Sequence, residues 1–264
     1  MIVNNILAII QKELQSYFDN SLAYILAGVF WFISGLFFIE ILLGEQGIIQ
    51  QIALSEKAGV NLAYVDAPTE LLNSFLATLG TLSLLIIPIL SMGLYAEERK
   101  RGTLELLATS PITNWVVALS KLIAVTMLFI FMLLPSFFYE TIAFSAATPS
   151  VSLIVPLLAN LGLILMSSAL LSLGMFISSL TTSNILAAIL TFGLILMLWL
   201  IDLITNNISI LSENNLSHVS LLESYSNLIQ GIVNISDLVL FCSYIFLGLF
   251  LTSQSVYLLR SNRQ

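Results

Sequence analysis

Glu97-Glu98-Arg99-Lys100-Arg101-Gly102-Thr103-Leu104-Glu105-Leu106-Leu107-Ala108-Thr109-Ser110-Pro111 interrupts a chain that is otherwise close to lipid-soluble. Long apolar segments flank it on both sides, so it reads as a connection at a membrane surface. Gly102 separates its charged lead-in from a short helix predicted over 103–109. The Thr103 hydroxyl can cap that helix, and Pro111 disfavours helical geometry at Ser110 and ends it. Leu104, Leu107 and Ala108 then share one face while Glu105 points away. A single helical turn with an apolar face suits docking into a groove on a cytosolic protein. The alternative is a snorkelling basic anchor that only fixes topology.

The composition around this segment sets the class. Of 264 residues, 58% are hydrophobic and only 9% charged, which excludes an ordinary soluble fold. The net charge of −7 argues against nucleic acid as a partner, because phosphate neutralisation needs an excess of clustered Lys and Arg. A single cysteine, Cys242, allows no intrachain disulfide. No cleavable leader is expected, since the start lacks a basic region and Lys12-Glu13 breaks any early apolar run.

A helix needs about 20 apolar residues to cross the hydrocarbon core. Six stretches qualify, at 22–43, 72–95, 116–138, 153–177, 185–204 and 238–259. The expected fold is therefore all-α and integral to the membrane, one transmembrane unit over 1–264. The fourth stretch is rich in small residues (Gly162, Ser167, Ser168, Ala169, Ser172, Gly174), which let helices approach closely in lipid. Pro88 and Pro135 each remove a backbone donor and are expected to bend the second and third spans. With the N-terminus inside, Lys12, Arg99, Lys100, Arg101, Lys121, Arg260 and Arg263 all fall on the cytoplasmic side and only Lys57 falls outside. That bias assigns both termini, and the connection at 96–114, to the cytoplasm.

Residues 1–20 are too polar to span but carry a helical period. At about 100° per residue, Ile2, Val3, Ile6, Leu7, Ile9, Ile10, Leu14, Tyr17 and Phe18 cover one side of the wheel. This is the pattern of an interfacial helix on the inner leaflet. Glu13 points into the apolar side, where an unpaired carboxylate is costly. It is expected to pair with Arg99, Lys100 or Arg101, unless the helix lies shallow and Glu13 stays wet. On the opposite side, 205–236 alternates Asn and Ser with apolar pairs, as short amphipathic helices dipping back to the membrane would.

Three carboxylates, Glu40, Glu140 and Asp202, fall near the outer ends of their spans. Interfacial water can solvate them there; an outer vestibule or ion-coupling role is the alternative. His218 stands without a second His or Cys nearby, so no metal site is expected. No Gly is followed by Lys, which excludes a Walker-type phosphate loop in this polypeptide. His-Glu-x-x-His, Gly-x-Ser-x-Gly and paired-Cys motifs are absent too. An intramembrane enzyme is thus poorly supported.

Glu97-Glu98-Arg99 followed by Gly102-Thr103-Leu104-Glu105-Leu106-Leu107 and Ser110-Pro111 resembles the cytoplasmic motif of ABC-2-type permeases. Within that family the chain is most similar to the gliding-motility and nitrous-oxide-reductase-maturation permeases. Lys12-Glu13-Leu14 with Tyr17-Phe18 and Leu22-Ala23-Tyr24 resembles the family's opening helix, and Gly231 with Asp237 the close of its last outer segment. The likeness covers nearly the whole chain. Two departures stand out: Leu222 sits where those relatives often carry a His, and Arg99-Lys100-Arg101 is more basic than many versions.

The resemblance implies six transmembrane helices, an N-terminal interfacial helix and a short cytoplasmic coupling helix, in the manner of ABC-2 exporters. It implies that Glu97, Glu98, Arg99, Gly102, Thr103, Leu104, Glu105 and Leu107 couple the chain to a separate cytosolic ABC ATPase. That partner would hold the ATP and Mg, with no cofactor bound by this chain and no catalytic residue in it. A second permease copy, identical or a sister, would complete the pathway in a bacterial plasma membrane, with outward traffic. A membrane scaffold or receptor that tethers a cytosolic protein through the same segment is the rival reading.

Overall fold

The computed structural model describes residues 2–57, 67–103, 113–145, 154–207 and 220–261. Ten helices run through them: α1 (Ile2–Phe18), α2 (Ser21–Leu43), α3 (Ile48–Lys57), α4 (Ala67–Ser91), α5 (Gly93–Arg101), α6 (Asn114–Ser145), α7 (Ile154–Leu180), α8 (Asn184–Asn207), α9 (Leu221–Ile229) and α10 (Ile235–Ser261). No strand occurs among the described residues. Six segments are long and apolar enough to cross a membrane: α2, α4 running on into α5, α6, α7, α8 and α10.

Each expected span is found, and most are longer than their apolar stretch. The second is the informative case. Helix α4 runs through Pro88 and ends at Ser91, and after Met92 a separate helix, α5, carries the charged lead-in. Helix α6 runs through Pro135 to Ser145. The polar segment after α2 contains α3, and the stretch ahead of the last span contains the amphipathic α9, buried through Leu221, Ser224, Tyr225, Leu228 and Ile229.

Helix α7 is the axis of the bundle, packed by α4, α5, α6, α8, α9 and α10. Its small residues explain this position. A Cβ added at Gly248 of α10 would lie 2.6 Å from the Ser172 backbone carbonyl carbon, so α10 crosses α7 nearly backbone to backbone. The Ser172 hydroxyl donates to the Tyr244 carbonyl across this crossing, at 3.2 Å. In their most apolar windows α6 and α7 are 61% buried, whereas α2 and α8 are 17% buried, which places the latter two at the perimeter. Rings pin α2 to the bundle: Phe38 stacks on Tyr139 of α6 at 5.2 Å and meets Phe75 of α4 edge-on at 5.2 Å. The Trp31 indole N–H donates to the Met132 carbonyl of α6 at 2.9 Å.

Helix α1 packs along α6 and against α2. Its apolar side is divided. Ile10 is buried and Phe18 meets Phe131 of α6 edge-on at 5.5 Å, while Val3 and Leu7 stay exposed. Lys12, Gln15 and Asp19 are exposed on the polar side.

Candidate functional site

At the end of the bundle that holds α1, charge has been taken inside. Lys121 lies in the second turn of α6 and is 2% exposed. Its Nζ donates to the Leu94 carbonyl at 2.8 Å, to Glu98 Oε1 at 2.9 Å and to Glu13 Oε1 at 3.2 Å. An ammonium has three hydrogens and here three acceptors. The Tyr95 ring lies beneath it, 5.1 Å from Nζ to the centroid. One cation thus binds the start of α6 to α5 and to α1. The Tyr17 hydroxyl and Glu98 Oε2 are buried beside it without hydrogen-bond partners. Burial, then the charges of Glu13 and Glu98, hold the Tyr17 phenol well above its usual range.

This corrects the expected partner of Glu13. Its carboxylate does need a cation, but Lys121 supplies it, not Arg99, Lys100 or Arg101. Helix α1 lies along α6, and that packing carries Glu13 to the first turns of α6. Arg99 instead donates from Nη1 to the Ser179 carbonyl of α7 at 3.0 Å, and Arg101 pairs with Glu97 on the exposed side of α5. Lys100 is exposed.

Helix α5 is held at its other end by α7. Met92 precedes it in helical geometry without a side-chain cap. Ser178 fills that role from across the bundle: its hydroxyl accepts from the Tyr95 and Ala96 N–H groups, each at 3.1 Å, and donates to the Met92 carbonyl at 2.7 Å. At the C-terminus Gly102 adopts φ 71°, a left-handed conformation that suits glycine. The Thr103 N–H and hydroxyl both reach back to the Glu98 carbonyl, at 3.1 and 3.3 Å. Thr103 thereby closes α5. Leu104, Glu105 and Leu107, and the rest of the helix expected over 103–109, lie outside the described residues, as does His218.

The three acids of the opposite end have separate surroundings. Glu40 is exposed, as interfacial hydration would have it, and its carboxylate folds back over Gly44. The other two depart from that expectation. Glu140 is 4% exposed and accepts from Asn160 Nδ2 of α7 at 2.7 Å. Asp202 is 8% exposed and accepts hydrogen bonds from Ser220 and the Leu222 backbone at the start of α9. Ser220 caps α9 through the Glu223 N–H at 2.9 Å. No cluster of three or more His, Cys, Asp or Glu fit to hold a metal occurs among the described residues.

Lys121, Ser178, Tyr17 and Asn160 are the site residues that the sequence reading did not single out. Lys121 had a signal: a lone lysine inside an apolar run requires a buried partner. Ser178 and Asn160 had none: Ser178 acts on a helix more than eighty residues away, and Asn160 on a residue of the preceding helix that only the packing of α6 on α7 brings to it.

No curated protein matches the chain. The model of the family described as ABC-2 family transporter protein matches residues 7–261, from α1 to the end of α10. With six helices able to cross a membrane and a match over nearly its whole length, the chain is a multi-pass membrane protein that belongs to the ABC-2 family of transporter proteins.

Proposed function

We propose that the chain is the permease subunit of an ATP-driven exporter, of the gliding-motility or nitrous-oxide-reductase-maturation type. In this reading the α1 end faces the cytoplasm of a bacterial cell, with both termini inside. A separate ABC ATPase, holding ATP and Mg, docks on the segment after Gly102. Leu104 and Leu107 provide its apolar contact, with Glu105 and the exposed Glu97–Arg101 pair at the rim. A second permease copy completes the pathway, and the poorly buried apolar faces of α2 and α8 are available to it or to lipid.

The observation that carries the reading is how α5 is mounted. Lys121 ties it to α6 and α1, while Ser178 and the Arg99–Ser179 bond tie it to α7. A push delivered just past Gly102 therefore meets a braced lever, and passes into the two most buried spans. Packed elements of this kind move between discrete arrangements more readily than they deform. ATP binding biases the equilibrium only through its differential affinity for the two states, and the chain supplies the two-state element.

The test is reconstitution with a separate ABC ATPase that co-purifies with the chain. Leu104→Asp should insert and fold normally yet leave the ATPase unstimulated by the permease. Normal stimulation by this variant would remove the docking assignment.

A further inference from the structure

A second buried polar pair lies at the end of the bundle remote from Lys121. Glu140 of α6 and Asn160 of α7 are 4% and 1% exposed. Asn160 Nδ2 donates to Glu140 Oε2 at 2.7 Å and to the Pro156 carbonyl at 2.9 Å, so both amide hydrogens are used. Two acceptors remain. Glu140 Oε1 and Asn160 Oδ1 are buried and have no hydrogen-bond partner. Buried acceptors without donors are rare, and each calls for an occupant or a missing hydrogen.

No cation stands ready to pair with the acid. Among the described residues, the titratable groups on the remote halves of the surrounding helices are acids, phenols and one thiol. They are Glu40 on α2, Glu70 on α4, Tyr139 on α6, Asp202 on α8, Glu223 and Tyr225 on α9, and Asp237, Cys242 and Tyr244 on α10; α7 has none. Tyr225 is the neighbour within reach of a charge on Glu140, and it spends its hydrogen on the Leu76 carbonyl at 2.6 Å. Lys57 is exposed on α3, which packs on α2 and α4. Helix α1 meets α6 at the other end, where it carries Lys12, Glu13 and Tyr17, with Asp19 just after it. Lys121 is nineteen residues along α6, about 28 Å away at the helical rise.

We propose that Glu140 and Asn160 form a proton-binding site, in which Glu140 Oε1 carries one proton and donates it to Asn160 Oδ1. The two side chains then close a carboxylic acid–carboxamide ring. One hydrogen satisfies both orphaned oxygens, and every donor and acceptor of the pair is accounted for. A metal cation fits poorly, since two oxygens fall far short of the roughly six that hard cations take. Release breaks the O–H bond, passes the proton to water and leaves an unpaired carboxylate. The site lies on the contact between α6 and α7, so parting these helices at that end would hydrate the acid and discharge the proton. The ligand is the hydrogen ion of the aqueous phase there. The site does not depend on the coupling proposed above and is tested without an ATPase.

The experiment is infrared spectroscopy of the full chain in lipid vesicles at neutral pH. The wild type should show the carbonyl stretch of a protonated carboxylic acid, and Glu140→Gln should lose it. Glutamine keeps the ring, because its amide donates to Asn160 Oδ1 and accepts from Asn160 Nδ2, so this variant should fold. Asn160→Leu keeps the acid but removes its partner, and should shift the band towards that of a free carbonyl. A spectrum unchanged by both substitutions would overturn the proposal. An ionised-carboxylate band that tracks sodium or potassium would overturn it in favour of a metal cation.

Discussion

Replacing Lys121 by Met should release α1 and loosen α5 in one step. Charges 3.2 and 2.9 Å apart attract by about 5 to 6 kcal/mol each at an effective dielectric of about 20. Desolvation of three buried ions offsets most of that. The variant loses more than the net value of the network, however, because Glu13 and Glu98 then face one another with no cation between them. Breaking a buried pair in this way costs about 3–5 kcal/mol. Glu13→Gln alone should cost less, about 1–3 kcal/mol, since Glu98 and the Leu94 carbonyl still hold the ammonium. The combined variant Glu13→Gln, Glu98→Gln, Lys121→Met should recover most of the loss, as a neutral cluster leaves no stranded charge. Reversible unfolding in mixed detergent micelles gives these values as a cycle. Limited proteolysis at α1 should reveal its release in the single lysine variant. The reasoning is refuted if Lys121→Met lies within about 0.5 kcal/mol of wild type, or if the combined variant is no better than the single one.

Ser178→Ala should strip the cap from α5 by removing the hydroxyl that bonds the Tyr95 and Ala96 N–H groups and the Met92 carbonyl. It should cost about 1–3 kcal/mol in the same unfolding assay. Gly248→Ala should cost a similar amount, about 1–3 kcal/mol, because its Cβ would press on Ser172, against the hydroxyl oxygen and 2.6 Å from the backbone carbonyl carbon. Gly102→Pro should abolish ATPase stimulation while leaving membrane insertion intact, since proline cannot adopt the positive φ that ends α5. Tyr17 stays protonated in the fold above its ordinary value of 10, where the unfolded chain ionises. Stability should therefore fall as pH rises past about 10, and Tyr17→Phe should remove that part of the slope.

The spans were legible because the hydrocarbon core demands long apolar runs, and that demand is local in sequence. Local logic also announced that α1 is amphipathic, that small residues line α7, and that Glu13 needs a cation. The identity of that cation was not legible. It depends on α1 lying along α6, which brings position 13 to position 121, and nothing in the period of either helix states this. The division of the second span into α4 and α5 was hidden for a related reason. The α5 cap is a serine of α7 more than eighty residues away, so Met92 reads as ordinary helix. Interfacial hydration of Glu140 was overturned by packing of this kind, since α7 lies against α6 there and Asn160 takes its carboxylate.

The central claim is that a push on the segment after Gly102 travels through a braced α5 into the spans. Its most direct test is the ATP turnover of the partner ATPase in liposomes carrying the wild type, Leu104→Asp or Lys121→Met, each at matched insertion. The wild type should stimulate hydrolysis and both variants should not, Leu104→Asp through failed docking and Lys121→Met through a lever that docks but gives way. Equal turnover in all three would contradict it.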